Sequence, residues 1–571
     1  MLTSGFTPLK NDNQKLWELF GQYKEYVMHT YPEWATYEGD HRYDSQVTDL
    51  SIKGIKNNFI SLRKFINDLE KIESSSLSAD NKINYDLFKN DLADNIEKEK
   101  FIYQYLPITQ LDGIHIDFPQ IIDSQPFETA EDFQKYFERL REASKQIDNV
   151  IERMKLGIKN NVVQPAYIIE QIIKETDEIK NTKTDEMPYF IPALNNKTLG
   201  ENELKFVRSE LKNILEENIK PAYQRLDNFL KDDYLKHART TDGVWSLPNG
   251  EKLYQFEIRN QTTTNLTAEE IHQIGLKEVA RILGEMEKVK NETGFKGTLQ
   301  EFNNFLKTDP QFYYSNTDDL LNGYRDILKQ VDKKLPDYFG RLPKAKYEVK
   351  EIESYKAKSS PQAYYYNAPE DGSRPGYFYA NTYDLFSRPK YTMVALCLHE
   401  AVPGHHLQIS IAQELENFPW FRKQLGMTAF VEGWALYAES LGYEMGMYND
   451  KYQHYGALTY EMERACRLVI DTGLHYKKWT REEAYQYLRA HTPSSDIDVR
   501  AEIDRYVIWP GQALAYKIGE LKIKELRKLA EDKLKDKFSL KEFHDHVLIN
   551  GAIPLSLLEK NIKDWINSKT K

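Results

Sequence analysis

Cysteine is almost absent from this chain. Cys397 and Cys466 are the two among 571 residues, which leaves no disulfide framework and no Cys-x-x-Cys ligand pair. One falls in an apolar run and the other in a helical stretch, so both read as buried thiols. Long apolar stretches are missing as well. No run of 18 apolar residues occurs, which excludes a membrane-spanning helix. The first twenty residues carry Lys10, Asn11, Asp12 and Asn13 where a signal peptide needs an apolar segment. The chain as it stands reads as soluble, either cytoplasmic or exported after loss of a leader. Positive charge is not in excess: the formal net charge is −11, which argues against a nucleic-acid surface. What is present is a globular composition. Aromatic residues make up 13%, with 38 tyrosines, too many for a disordered chain and enough for a sizeable core.

Helical periodicity dominates the first half. Residues 11–29, 56–72, 82–104, 130–155 and 202–230 place apolar side chains three and four apart between charged faces. Thr129-Ala130-Glu131-Asp132 and Thr267-Ala268-Glu269-Glu270 have the form of capped helix starts. Polar breaks fall around 180–200 and 240–250. Near Pro343 the pattern changes. Residues 347–355 alternate, and Ala363-Tyr364-Tyr365-Tyr366 and Tyr377-Phe378-Tyr379-Ala380 are β-prone, with Pro369-Glu370-Asp371-Gly372 as a turn signal between them. A small sheet is therefore expected at about 345–382. Helix returns after Tyr391, broken at Pro419, Pro493 and Pro510. The fold class is mainly α, with a short sheet beside one central segment.

That segment is His399-Glu400-Ala401-Val402-Pro403-Gly404-His405-His406, which directly follows an apolar run. Three histidines and a glutamate within eight residues point to a metal site. In the zincin pattern H-E-x-x-H, two imidazoles share a helix face and the glutamate lies beside the metal-bound water. Here the second histidine comes late. Pro403 has no N–H for the His399 carbonyl, and it biases Val402 away from the helical region. A bulge is expected, and geometry alone leaves His405 and His406 open as the second ligand. A third ligand is expected downstream, where Glu432 and Glu439 lie seven apart on one face of an apolar helix. One can ligate while the other holds a histidine in its tautomer.

The segments His399 to Gln408, Val431 to Glu439 and Arg505 to Lys517 resemble the bacterial "domain of unknown function 885" family. That family in turn resembles gluzincin peptidases such as angiotensin-converting enzyme, whose ligands are two histidines and a later glutamate. The resemblance implies a large, two-lobed, zincin-like helical fold with the small sheet next to the active-site helix. It would be one continuous unit around a cleft, with residues 1–240 as an N-terminal helical lobe and 241–571 as a catalytic lobe. It favours His405 over His406 and makes Glu432 the third ligand of one Zn²⁺, with Glu439 as the alternative. It also implies an enzyme that hydrolyses peptide bonds of short peptides through a metal-activated water, with Glu400 as general base. Tyr506, in an Arg-Tyr pair like one of angiotensin-converting enzyme, is the expected oxyanion donor, with Tyr516 and His491 in reserve.

Further expectations complete the site. An edge strand at 377–382 would pair with the substrate backbone, with Tyr379 and Asn381 facing it. Arg505, beside Arg500, would take a C-terminal carboxylate, and Tyr516 would also touch substrate. Arg467, Asp471 and His475 form an i, i+4 stripe that either supports the site or ion-pairs along the helix. The competing functions are a zinc hydrolase of another amide or ester, and a peptide-binding protein without turnover. Glu400 favours an enzyme, because a binding module needs no base beside its metal.

Overall fold

The computed structural model describes residues 11–352, 357, 360–368, 372 and 374–570. These form two compact units. One runs through Thr241 and takes in Pro419–Phe421; the other holds Asp242–Phe418 and the chain from Arg422 onward. Among the described residues no helix is long and apolar enough to cross a membrane.

The first unit is helical. Its longer helices are α1 (Asp12–Thr30), α2 (Ile52–Leu69), α3 (Ala79–Glu97), α4 (Ala130–Lys159), α5 (Ala166–Asn181), α6 (Glu201–Ile214) and α7 (Lys220–Asp232). Side-chain caps decide where several begin. Ser51 and Ser78 accept from the backbone N–H groups of Gly54 and Asn81, which starts α2 and α3 a few residues before the apolar periodicity does. At Thr129 the expected cap is a full capping box with Asp132. The periodic stretch 202–230 is not one regular helix. A wide turn at Leu215–Ile219 separates α6 from α7, just where Pro221 lacks an N–H for the Glu217 carbonyl. α5, which the apolar periodicity did not single out, starts at Pro165 with no side-chain cap. Phe20 packs on Phe88 and Phe421 with ring centroids 5.2 and 4.8 Å apart. Arg139 is buried and donates to the carbonyls of Tyr43 and Gln46 at 2.8 and 2.9 Å.

The second unit contains α8 (Gly250–Thr262), α9 (Ala268–Thr293), α10 (Leu299–Thr308), α11 (Thr317–Tyr338), β1 (Tyr347–Glu351), β2 (Ala363–Tyr366) and β3 (Gly376–Ala380). Then come α12 (Met393–Glu400), α13 (His405–Gln413), α14 (Thr428–Glu444), α15 (Lys451–His475), α16 (Arg481–His491), α17 (Asp496–Ile508), α18 (Ala515–Leu534), α19 (Leu540–Leu548) and α20 (Leu555–Thr570). The chain is thus mainly α with a small sheet upstream of the His-Glu segment. α15 is its axis, buried almost continuously from Tyr455 to His475. α14 and α18 cross so closely that a Cβ on Gly519 would sit 1.8 Å from the Ala429 carbonyl oxygen. Only glycine permits that approach.

The sheet order is β1-β3-β2. β1 runs parallel to β3 and β2 antiparallel, with Tyr347 opposite Gly376 and Ala363 opposite Ala380. This corrects the assignment of 377–382 as an edge strand. β3 is central and bonded on both sides, so its backbone has no free edge for a substrate. β1 and β2 are the outer strands. The turn at Pro369-Glu370-Asp371 and residues 353–355 of the alternating stretch lie outside the described residues.

Candidate metal centre

α12 is apolar all round and buried from Met393 to His399. It stops at Ala401, and the next helix begins at His405. Between them the chain bulges, as Pro403 predicts. The His406 N–H reaches back to the Ala401 carbonyl at 3.0 Å. Gly404 folds so tightly against the end of α12 that a Cβ there would lie 1.9 Å from the His399 carbonyl oxygen. Trp434 of α14 fixes the bulge by donating from its indole N–H to the Pro403 carbonyl at 2.9 Å. The motif around Glu432 therefore also anchors the histidine segment.

This folding chooses between the two histidines. The rings of His399 and His405 stand perpendicular with centroids 4.8 Å apart. Glu432 Oε2 lies 3.5 Å from His399 Nε2 and 3.5 Å from His405 Nε2. Ligand atoms of a tetrahedral zinc site, bonded at about 2.0–2.2 Å, lie about 3.3 Å from one another. His406 turns away and is corrected as a ligand. Its Nδ1 meets the Tyr365 hydroxyl at 2.8 Å, Tyr347 packs on its ring at 4.7 Å, and burial drives its pKa down to about 4. It is a neutral packing residue. Glu439 is likewise a supporting residue: its Oε1 lies 2.7 Å from His399 Nδ1, which leaves Nε2 facing Glu432.

Glu400 also borders the gap, with one oxygen within 4.8 Å of ligand atoms on both histidines. Two carboxylates therefore compete for the third position. Glu432 is the nearer, equidistant from the two nitrogens. Glu400 is held from the other side, where its Oε2 accepts the backbone N–H of Tyr365 at 3.0 Å. That donor comes from β2, whose edge lies against α12. Burial raises the Glu400 pKa against the pull of His405 and His399. Burial opposes ionisation of Glu432 too, but His405 and His399 hold it well below the usual carboxylate range.

The donor set fits a metal ion. Glu432 Oε2, 3.5 Å from both Nε2 atoms, is buried without a hydrogen-bond partner among the described residues, and an orphaned buried acceptor is costly unless a cation completes it. Without metal, burial disfavours a charged His399, yet the neighbouring carboxylates of Glu432 and Glu439 raise its pKa to about 9. The site thus favours positive charge. Two imidazoles and a carboxylate are a zinc-type set.

Other residues fall around this core. Tyr516 stacks on His399 with centroids 6.4 Å apart, and its hydroxyl accepts from Gln512 at 3.3 Å. Tyr506 stands one layer behind, fully buried. It donates to Glu502 at 2.7 Å and accepts from Arg467 at 3.0 Å. His475 Nε2 lies 2.9 Å from the Tyr506 carbonyl, and its Nδ1 accepts the Val244 N–H at 3.1 Å. Asp471 binds the Tyr254 hydroxyl at 2.6 Å and the Gly511 N–H at 3.1 Å. The stripe Arg467, Asp471, His475 is therefore not a ladder of ion pairs. Arg467 and His475 both reach Tyr506 in α17, and Asp471 reaches Tyr254 of α8 and Gly511 in the turn before α18.

Other residues singled out by the sequence have settings of their own. Asn381 is fully buried, and its side-chain amide donates to the carbonyls of Ala357, Ser360 and Pro361, so it braces the sheet and does not face a substrate. Tyr379 stacks on Tyr364 at 5.1 Å, on the sheet face opposite Phe378, which packs on Tyr324 at 5.1 Å. Arg500 and Arg505 diverge: Arg500 lies 4.2 Å from the Tyr485 ring, whereas Arg505 bonds Glu502 and Gln512 at 3.3 and 3.0 Å. His491, held to the Tyr487 carbonyl at 2.7 Å, does not join the cluster. The sequence reading missed the Tyr365 backbone donor, the Trp434 anchor, Glu502 and Arg464. The first depends on strand order and carries no sequence signal. The tryptophan sits inside a motif that was recognised, two residues from Glu432.

Among curated proteins, none matches this chain. Its fold is similar to the crystal structure of a protein from Colwellia psychrerythraea described as a "putative lipoprotein", with 32% identity and a TM-score of 0.93 over 98% of this chain and all of that one. A Shewanella oneidensis protein with the same description and unknown function shares the fold at 18% identity, with a TM-score of 0.71 over 95% of this chain and 99% of its own. The bacterial proteins of unknown function grouped as DUF885 match residues 32–562. Over nearly its whole length, then, the chain belongs to the DUF885 family.

Proposed function

We propose that this protein is a zinc-dependent peptidase of gluzincin type. The observation that carries the reading is Glu432 Oε2, buried, without a hydrogen-bond partner among the described residues, and 3.5 Å from an Nε2 of each of two histidines. His399, His405 and Glu432 hold one metal ion. Zinc, when bound there, supplies Lewis acidity that polarises a carbonyl and acidifies water. Glu400 takes the proton of the attacking water and delivers it to the leaving nitrogen. Its raised pKa suits both halves of that transfer. The Tyr365 N–H holds its carboxylate in place. Tyr516, beside His399, is the best-placed hydroxyl for the developing oxyanion, with Tyr506 and Arg467 behind it as supports. The peptide lies extended beside β2, the outer strand whose Tyr365 N–H holds Glu400. The description of the 32%-identical Colwellia relative as a lipoprotein supports an exported enzyme.

Digestion of a mixed peptide library by zinc-loaded protein, read by mass spectrometry beside Glu400→Gln, tests this. Wild type should cleave, and the variant should keep its zinc while losing cleavage by about a thousandfold or more. Cleavage that survives in Glu400→Gln would remove the base assignment. Metal-bound wild type that leaves every peptide intact would remove the peptidase.

A further inference from the structure

Beyond the metal centre, the inner face of α15 and the neighbouring α17 bring three guanidinium groups together with two carboxylates. Arg467 Nη2 bonds Glu463 at 2.8 Å and Glu502 at 2.9 Å, and its Nε bonds the Tyr506 hydroxyl. Arg505 shares Glu502 and also uses Gln512. Both carboxylates are thereby occupied. Glu502 shows the balance: burial pushes its pKa up, but Arg505 and Arg467 hold it down to about 2. Arg464 is left over. Its nearest carboxylate oxygen, on Glu463, is 3.6 Å away, and among the described residues it donates no hydrogen bond. Yet it is 92% buried, with the Tyr460 ring 4.8 Å from its guanidinium carbon.

The unfilled donors converge in type. Arg464 Nε, Arg467 Nη1 and Arg505 Nε are all buried without a partner. Arg467 is 97% buried, so its free N–H is not simply turned to bulk water. An arginine offers five donors in a rigid fork and cannot shed its charge. Three such groups with one positive charge uncompensated leave the stronger part of their binding capacity unused. Planar two-oxygen anions match that fork.

The cluster also borders the reaction centre. Tyr516 joins the two: its ring stacks on His399, and the guanidinium carbon of Arg467 lies 4.5 Å from its ring. Arg464 contributes to the charge felt by Glu400, and Glu439 to that felt by Arg464. We propose that Arg464, flanked by Arg467 and Arg505, binds a free carboxylate of the substrate. This rests on the reading of the metal centre as the point of cleavage. The carboxylate is either the peptide's own C-terminus, which makes the enzyme a carboxypeptidase, or an aspartate or glutamate side chain near the cut. Arg464 also forms a cation–π contact with Tyr460, whose hydroxyl bonds Gln362 at 2.7 Å, next to β2. A peptide beside β2 would therefore reach it.

The test uses three N-acetylated peptide sets: neutral side chains with a free C-terminus, the same sequences as C-terminal amides, and amides carrying one aspartate or glutamate. Binding is measured by calorimetry on zinc-loaded Glu400→Gln, alone and combined with Arg464→Met or Arg464→Lys. Cleavage by wild type is measured in parallel. A carboxylate-bearing set should bind at least about tenfold more tightly than the neutral amides. Arg464→Met should bring that ratio close to one, and Arg464→Lys should keep part of it with metal content intact. Preference for the first set identifies the C-terminus, and preference for the third identifies the side chain. Equal binding of all three sets, or a ratio unmoved by Arg464→Met, overturns the carboxylate site even if wild type cleaves peptides. Carboxylate-selective binding lost in Arg464→Met, with no cleavage by wild type, keeps the site and overturns the peptidase instead.

Discussion

At the scale of single residues, the roles around the histidines separate by what each atom touches. Glu432 faces two Nε2 atoms, Glu439 faces one Nδ1, and Glu400 faces a backbone N–H. Three different losses follow on substitution. Glu432→Ala removes a ligand and should abolish tight zinc binding. Glu439→Gln leaves the ligands but loosens the orientation of His399, and should weaken zinc about 10- to 100-fold. Glu400→Gln should bind zinc nearly as wild type does. Zinc titration by calorimetry ranks the three, and equal affinities for Glu432→Ala and wild type would remove Glu432 from the ligand set. A second residue-scale prediction concerns His544, which is fully buried between the Tyr338 carbonyl and the Tyr437 hydroxyl at 2.8 Å each. Burial lowers its pKa to about 3, below the unfolded value of about 6.5. The neutral ring therefore contributes stability that is fully present above about pH 6.5 and is lost as pH falls toward 3. At pH 5 the loss should be about 2 kcal/mol. Urea unfolding at pH 7.5 and 5 should show it, and His544→Gln should show a correspondingly smaller difference between the two pH values.

The candidate ligands lie on three helices, α12, α13 and α14, and the packing of α14 sets the precision of the site. α14 bears Glu432 and Glu439 and is pressed against α18 at the Gly433–Gly519 crossing, where an added Cβ would fall 1.8 to 2.5 Å from backbone atoms. Gly519→Ala must push the helices apart. It should cost about 1–3 kcal/mol of stability and weaken zinc as well, because the displaced helix carries a ligand. Stability loss with unchanged zinc affinity would mean that the crossing does not position the site. The histidine bulge was legible because its cause is local: Pro403 removes an N–H from a helix, and Gly404 supplies the freedom to recover. The capped starts at Thr129 and Thr267 were legible for the same reason. Strand order was not. Three short segments were identifiable as strands from alternation, but which of them is central depends on pairings between distant residues. β3 is therefore not the substrate edge that 377–382 suggested, and Asn381, fully buried, lost the role that depended on it.

For the whole chain, composition and helical period gave the class, and three motifs gave the neighbourhood of the candidate metal centre. Arg464 was invisible to both, because one arginine on a buried helix has no meaning until its neighbours' charges are counted. The chain folds into two compact units, and the candidate centre lies wholly in the second. Its ligands come from three helices, α12, α13 and α14. A metal that ties them together must stabilise that unit. Zinc at a thousand times its dissociation constant should add about 4 kcal/mol, seen as a rise in Tm that Glu432→Ala abolishes. The central claim is that His399, His405 and Glu432 hold one metal ion. The measurement closest to it is X-ray absorption at the zinc edge on protein loaded with one equivalent, beside His405→Ala and His406→Asn. The account predicts two imidazoles and a carboxylate at about 2.0–2.2 Å, with one imidazole lost in His405→Ala and none in His406→Asn. A spectrum with no imidazole, or one that changes only in His406→Asn, would contradict it.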